Sequence, residues 1–186
     1  LPVNFVGNRS LGSEELMAYE RGYRSQPTKS LSFDVAAFYN DYDKLFHTSY
    51  GTIVTFLPIV VDNTGSGTST GIELASEWSV SNTWQLAGSY SYISLAFDKK
   101  DSVAFSYVGK HPKHQFNARS TYLFPVGVEM TNAVYYVDDL TGINIDDYWR
   151  FDTRLSYEIT DGVELSLIGQ NLLDPRHQEF TPFLYK

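Results

Sequence analysis

Apolar and polar residues alternate along most of the chain, and the alternation is clearest between residues 147 and 160. In the stretch DYWRFDTRLSYEIT, the odd positions from Trp149 to Ile159 are mainly apolar, whereas the even positions from Arg150 to Glu158 carry charged or hydroxyl groups. Because successive side chains of a β-strand point to opposite faces of the sheet, this pattern predicts a strand with one apolar and one polar face.

The same period of two predicts eight strands, whereas helical spacing fits at most residues 13–21. The predicted strands cover residues 13–24, 30–43, 58–80, 84–97, 113–124, 128–137, 147–160 and 163–168. The connections near 25–29, 81–83, 125–127 and 160–162 are short, whereas those near 44–57, 98–112 and 138–146 and the tail after 173 are long. Short connections at one end and long ones at the other predict an all-β, antiparallel, up-and-down sheet.

Two placements of the apolar face fit this alternation. In a soluble sandwich the apolar face packs against a second layer, whereas in an outer-membrane barrel it meets lipid and the polar face lines the lumen. Seven of the eight predicted strands exceed the length of about 5 to 6 residues that is usual in soluble sheets. Aromatic residues lie near strand ends, as in the interfacial girdles of membrane barrels: Trp78, Trp84, Phe124, Tyr148 and Trp149. The pattern favours a transmembrane barrel; a soluble all-β binding module (sandwich or lipocalin-like) and a complete eight-stranded outer-membrane barrel remain alternatives.

Composition narrows the function classes. The 186 residues carry a net charge of −8, which argues against a nucleic-acid partner, since such proteins present a basic surface. The chain has no cysteine, so no disulfide, thiolate metal site or cysteine nucleophile is expected. No Ser-His-Asp set, G-x-S-x-G motif or phosphate-binding loop is recognisable, so we expect neither an enzyme nor a cofactor.

Seven stretches, in order, resemble the C-terminal barrel region of TonB-dependent outer-membrane receptors. They are SEELMAYERGYR, VAAFYNDYDKL, TGIELASEW, GSYSYI, KHPKHQFNARSTYLF, YYVDDL and DYWRFDTRLSYEITDGVELSLIGQNLLDPRHQEF. Each short piece is weakly specific, but the last is long, and together the stretches span about residues 8–180.

The resemblance implies a 22-stranded barrel in the bacterial outer membrane, plugged by an N-terminal domain. It implies active import of scarce cargo, with a ferric siderophore as the default, driven by the TonB complex through the plug. Membrane lipid, lipopolysaccharide and the metal-chelate cargo are the further implied partners. Residues 1–186 are then expected to form part of a single barrel domain, about eight strands of the wall, with the signal peptide, TonB box, plug domain and final strand absent from this stretch.

Nine charged residues on the polar face are candidates to face the lumen, where they would contact cargo or plug. The simpler alternative is that they are solvated and pair across neighbouring strands. The nine residues are Glu73, Glu77, Arg119, Glu129, Arg150, Asp152, Arg154, Glu158 and Glu164.

Metal binding is a weak possibility at two places. His111 and His114 form an H-x-x-H pair, but a strand would point the two rings to opposite faces, and no third ligand is close in sequence. Four acids bracket the loop LTGINI and could hold a divalent cation, although exposed loop carboxylates are the simpler interpretation: Asp138, Asp139, Asp146 and Asp147. In the tail, His177 and Glu179 are candidate cargo contacts, because the resemblance places them in an external loop.

Overall fold

The structure, a computed structural model, describes residues 3–50, 57–98, 108–174 and 176–179. The strands are β1 (Val3–Val6), β2 (Glu15–Thr28), β3 (Leu31–Tyr50), β4 (Leu57–Ser81), β5 (Trp84–Phe97), β6 (His114–Leu123), β7 (Val128–Val137), β8 (Tyr148–Thr160) and β9 (Val163–Gly169). Within these ranges there is no helix long and apolar enough to cross a membrane.

Strands β2 to β9 pair antiparallel in chain order, which confirms the predicted eight-stranded up-and-down sheet. The ninth strand, β1, was not predicted. It pairs parallel to β4, with Val3 beside Leu57 and Val6 beside Val60, next to the part of β4 that extends beyond its pairing with β5. A four-residue strand is too short for its period to be recognised, and its partner lies more than 50 residues away in the chain.

The predicted loop at 44–57 is largely wrong. β3 continues to Tyr50 and β4 begins at Leu57, and the two strands stay paired past the end of β2, whereas residues 51–56 lie outside the described part of the chain. Register shifts between Tyr42 and His47, together with a left-handed φ of 55° at Lys44, interrupt the alternation here. A bulge inserts an extra residue into a strand, so the period of two is lost although the strand continues.

The predicted turn at residues 25–29 is also too long, because a bulge lies within the strand at this place. The register shifts between Ser25 and Thr28 while the strand continues, and the turn is confined to residues 29 and 30.

The cross-strand register puts the predicted apolar residues of all eight strands on one face of the sheet. One row of directly paired neighbours crosses seven strands, from β2 to β8: Tyr23, Val35, Leu74, Tyr90, Phe116, Tyr136 and Trp149. The opposite face carries all nine charged residues proposed for the lumen, as the period predicts, whereas Arg21, paired with Ala37, is a charged residue on the apolar face.

The apolar face is not covered by a second layer of the described chain. Leu155 and Trp149 are 38% and 47% exposed, and Ile145, in a loop, is the one hydrophobic residue among those described that is buried. A sandwich needs a packed core between two sheets, so this single layer excludes the sandwich. The outermost strands β2 and β9 do not pair with each other, so the described sheet is a partial barrel and not a closed one.

Candidate functional site

All nine charged residues predicted for the lumen lie on the polar face. Directly paired residues on this face run across five strands, from Glu77 through Ala87, Arg119 and Ala133 to Asp152. The same parity places the other six there, because residues two apart in a strand share a face: Glu73, Glu129, Arg150, Arg154, Glu158 and Glu164.

Arg154 links three strands of this face. Its guanidinium pairs with Glu164 of β9 and lies 4.0 Å from Oε1 of Glu129 on β7. Glu158 of β8 stands directly opposite Glu164. Arg154 therefore pairs with two carboxylates on the neighbouring strands, whereas Glu158 has no cation within ion-pair distance among the described residues.

Arg150 and Asp152 form a second ion pair on β8. Arg150 donates from Nε to Oδ1 at 2.9 Å and from Nη2 to Oδ2 at 2.6 Å, and its guanidinium carbon lies 5.5 Å from the ring centre of Tyr135. The backbone N–H of Asn171 also donates to Oδ1 of Asp152, at 2.9 Å. Two-pronged pairing of this kind orients both side chains.

The remaining polar-face candidates have no ion pair within 4.0 Å among the described residues: Glu73, Glu77, Arg119 and Glu158. Glu77 and Arg119 line one shallow polar groove of about 270 Å³ with Gln85. Glu73 lines a second groove of about 480 Å³, beside Arg24 and Asp34. These side chains are the ones that have charge available for a passing or docking partner.

His177 packs against the start of β8 and is largely enclosed. Its ring stacks on Tyr148 at 4.0 Å between centroids with a 12° interplanar angle, and its side chain is only 10% exposed. Nε2 lies 3.0 Å from Glu179, and Nδ1 lies 3.6 Å from Asp174. Glu179 is 57% exposed, so of the two tail candidates it is the more accessible to a ligand.

The two weak metal-site candidates are not assembled as ligand sets. His114 lies on the apolar face, where the Tyr90 hydroxyl contacts its Nδ1 at 2.8 Å, whereas His111 lies before β6. The four-acid loop closes through pairing of Leu140 with Ile145, and Asp138 accepts a hydrogen bond from Tyr136 at 3.2 Å. The described residues contain no group of three or more histidines and acids that could hold a metal ion.

A further cavity on the polar face was not predicted from the sequence. We call it the rim pocket; its volume is about 800 Å³, and it lies at the end of the sheet that carries the long connections. It is lined by Glu14, Tyr42, Leu45, Phe46, Ile93, Leu95, Phe97, Lys110, His111, Pro112 and Gln115. One feature of the sequence could have predicted an apolar cavity here. The polar-face positions of β5 change from Gln85, Ser89 and Ser91 to apolar residues from Ile93 onward.

Close packing holds the strands of the rim pocket in place. The Phe97 ring lies over Gly67 of β4, where an added Cβ would come within 2.3 Å of the ring. Ser69, only 2% exposed, accepts a hydrogen bond from Asn40 at 3.0 Å and lies 3.3 Å from the hydroxyl of Tyr42. The aromatic wall is therefore supported by neighbouring strands.

The segment carrying Lys110 and His111 is fixed by contact between two long connections. The N–H of Gly142 donates to the carbonyl of Gly109 at 2.8 Å, and Gly109 has a φ of 74°, which favours glycine. An added Cβ at Gly142 would lie 2.5 Å from the carbonyl oxygen of Val108. Only glycine allows the two backbones to approach so closely.

Comparison with known proteins agrees with this architecture. The family described as TonB dependent receptor-like, beta-barrel matches residues 2–172. The ferric-catecholate import receptor Fiu from E. coli K12 superposes with a TM-score of 0.71 at 17% identity, over 91% of this chain and 25% of that chain. The pyoverdine outer membrane receptor FpvA from Pseudomonas aeruginosa PAO1 gives 0.70 at 16% identity, over 88% and 26%. The ferric yersiniabactin uptake receptor FyuA from Yersinia pestis gives 0.66 at 20% identity, over 88% and 26%.

The chain spans about a quarter of the length of these solved structures, and at such identities the likeness concerns the fold. The family match covers most of the chain, and the single-layer, two-faced, antiparallel sheet is the wall that such a barrel requires. The family consists of outer-membrane transport receptors, and the chain belongs to the TonB-dependent receptor β-barrel family.

Proposed function

We propose that this chain forms part of the wall of an outer-membrane active transporter that imports a scarce metal chelate, by default a ferric siderophore, with energy from the TonB complex. The observation that carries the proposal is the family match over residues 2–172, on a sheet whose two faces differ in polarity across its whole width. Named relatives with the same fold import ferric catecholate and ferric yersiniabactin or bind pyoverdine.

In this proposal the apolar face meets lipid and lipopolysaccharide, and the polar face lines the lumen. The exposure of Trp149 and Leu155 supports this placement, because large apolar side chains without a covering layer fit hydrocarbon better than water. Glu73, Glu77 and Arg119 then point charge into the lumen, toward cargo or plug. The short turns lie on the periplasmic side and the long connections outside the cell.

The proposal requires the further strands and the plug domain that the family implies, because eight strands cannot enclose a lumen of this class. Residues 1–186 would then be one section of a single barrel domain. Glu179 and His177 would lie at the external rim, with Glu179 available for cargo contact.

Uptake of iron-55 chelates by cells carrying the full-length receptor tests the function. A strain without its own ferric-chelate receptors should accumulate iron when the receptor is expressed, and lose that uptake when TonB is deleted. Passive leakage is controlled by antibiotic sensitivity of the same cells. Uptake that persists without TonB, or no uptake of any ferric chelate by correctly inserted receptor, contradicts the proposal.

A further inference from the structure

We propose that His177 acts as a proton-dependent clasp: the protonated imidazole holds the tail after β9 against the start of β8, and the neutral imidazole holds it less tightly. The ring of His177 stacks on Tyr148, the first residue of β8, so the clasp lies at the end of the sheet that carries the long connections. Its action does not depend on which cargo is imported.

The clasp secures the part of the chain that takes over the edge of β8 where β9 stops. β9 pairs with β8 only as far as Gly169. The tail then turns at Asn171, which has a left-handed φ of 52°, and its N–H donates to Oδ1 of Asp152 at 2.9 Å. The N–H of Leu172 donates to the carbonyl of Phe151, also at 2.9 Å. Release of the tail would open both bonds to solvent, so the exchange of these two hydrogens reports whether the clasp is closed.

Both ring nitrogens of His177 lie within ion-pair distance of a carboxylate. Nε2 is 3.0 Å from Oε1 of Glu179, and Nδ1 is 3.6 Å from Oδ2 of Asp174. A neutral imidazole carries a hydrogen on only one of its nitrogens, whereas the protonated ring can donate from both. Only the protonated form can therefore serve the two carboxylates at once.

Nδ1 of His177 has a different partner in each protonation state. When the neutral ring carries its hydrogen on Nε2, Nδ1 can only accept, and the donor beside it is Nδ2 of Asn171 at 3.5 Å. A contact of this length is at the limit for a hydrogen bond. In the protonated ring the Nδ1 hydrogen points instead to Asp174, whose Oδ1 already accepts the backbone N–H of Arg176 at 3.1 Å. Charge-assisted contacts are the stronger ones, so proton uptake tightens the clasp.

The aromatic ring of Tyr148 adds a contact that also favours the charged form. The two rings are nearly parallel, with 4.0 Å between their centroids and an interplanar angle of 12°. A cation over the face of an aromatic ring is attracted by its π-electrons. The side chain of His177 is only 10% exposed, so solvent screens these contacts little, although the same burial opposes the charge.

The balance of charge around the clasp is negative. The charged or titratable groups of the two elements that meet here are Asp174, Arg176 and Glu179 in the tail and Asp147, Tyr148, Arg150 and Asp152 at and just before the start of β8. Arg150 is already held by Asp152 through two hydrogen bonds, and Arg176 is exposed. The two carboxylates in contact with the ring therefore outweigh the one cation that is left.

The direction of the pH effect follows from this charge. Histidine changes its charge near pH 6.5 in an ordinary environment, and free carboxyl groups stay ionised down to about pH 4 to 5. The closed clasp binds the proton more tightly than the open one, so it strengthens as the pH falls through this region and weakens as the pH rises. In the placement proposed above, the medium outside the cell sets that pH.

Hydrogen exchange of the full-length receptor in liposomes tests the clasp. The measured quantity is the protection of the peptide that contains Asn171 and Leu172, relative to an unstructured peptide at the same pH, so that the chemistry of exchange cancels. Protection should be about three- to tenfold higher at about pH 5.5 than at about pH 8.

Three variants assign the effect to the imidazole. His177→Phe keeps a ring that can stack on Tyr148 but takes up no proton, so its protection should be the same at both pH values. Glu179→Gln removes a charge from a side chain that is 57% exposed and should reduce the pH difference. His111→Gln is the matched control, because His111 lies at the same end of the sheet and has no ion pair among the described residues; it should leave the pH difference unchanged.

Each result decides for or against the clasp. Wild-type protection that is equal at the two pH values, or higher at about pH 8, overturns it. A pH difference that persists in His177→Phe belongs to another group and also overturns it, whereas a purely structural histidine would make His177→Phe lose protection without any pH difference in the wild type. If His177→Phe does not insert, Glu179→Gln decides alone, and an unchanged pH difference in that variant overturns the clasp.

Discussion

Glu158 of β8 lies directly opposite Glu164 of β9, and both carboxylates stand on the polar face. Like charges at directly paired positions destabilise an antiparallel ladder. Arg154 offsets this repulsion by pairing with Glu164 while it also approaches Glu129 at 4.0 Å. Among the described residues it is the only cation within ion-pair distance of either Glu129 or Glu164.

Replacing Arg154 with Met should therefore destabilise the barrel by about 0.5 to 1 kcal/mol, a small effect because the groups are partly exposed to water. The measurement is the temperature at which the unboiled full-length receptor loses its fast-migrating band on a gel. Adding Glu164→Gln to Arg154→Met should recover part of the loss. Arg9→Met, which removes an exposed cation outside any described ion pair, is the control; equal midpoints for both arginine variants would contradict the cluster.

Labels at two adjacent positions of β7 should lie in different environments, one in lipid and the other in water. Val134 shares the apolar face with Phe151, whereas Ala133 shares the polar face with Asp152 and Arg119. This chain has no cysteine of its own, so single cysteines can be placed here without a background from it. In liposomes, a fluorophore on Val134→Cys should be quenched by nitroxide-labelled lipid, and one on Ala133→Cys by aqueous iodide. Quenching in the reverse order would place the faces the other way round.

The two faces were predictable from sequence because they depend only on parity. Alternation from Trp149 to Ile159 assigned every charged residue of β8 to the correct side, whatever its neighbours. The prediction failed at residues 44–50, where register shifts add residues without ending the strand. It also missed β1, whose pairing with β4 depends on contact between segments far apart in the chain.

The site was predictable only in part. Parity shows that Arg154 and Glu164 share a face, but their pairing depends on the register between two strands, which periodicity does not give. The tail of His177 has no period at all, and its stacking on Tyr148 follows from tertiary packing. The rim pocket forms where β3, β5 and the segment before β6 meet. In the sequence its apolar residues therefore appear only as exceptions to the alternation of polar and apolar positions.

A polar pair on the apolar face offers a test of the lipid environment. Thr153 of β8 donates its hydroxyl hydrogen to Oδ1 of Asn132 on β7 at 2.8 Å, at directly paired positions. In hydrocarbon no water can replace a lost partner. Thr153→Val should therefore cost about 0.6 to 1.7 kcal/mol in urea unfolding of the receptor from liposomes.

Matched variants distinguish the loss of that hydrogen bond from a general effect of valine. Adding Asn132→Leu to Thr153→Val should restore stability, because both polar partners are then gone. Thr131→Val removes a comparable contact, 3.2 Å from Thr121, but on the polar face. It should cost less, because water can solvate Thr121 there. Equal losses for Thr131→Val and Thr153→Val would argue that both positions face water.

The contact between Gly109 and Gly142 should stabilise the end of the sheet that carries the long connections without affecting the paired strands. Gly142→Ala would push a methyl group to 2.5 Å from the carbonyl oxygen of Val108, so the two connections must separate. We expect faster cleavage by proteinase K within residues 138–147, since the two connections lose the contact that holds them together. The heat-induced gel shift should stay unchanged, because the strand ladders are not touched. Gly7→Ala, where an added Cβ meets nothing within 4 Å, is the control. Unchanged proteolysis in Gly142→Ala would show that the connections do not depend on each other.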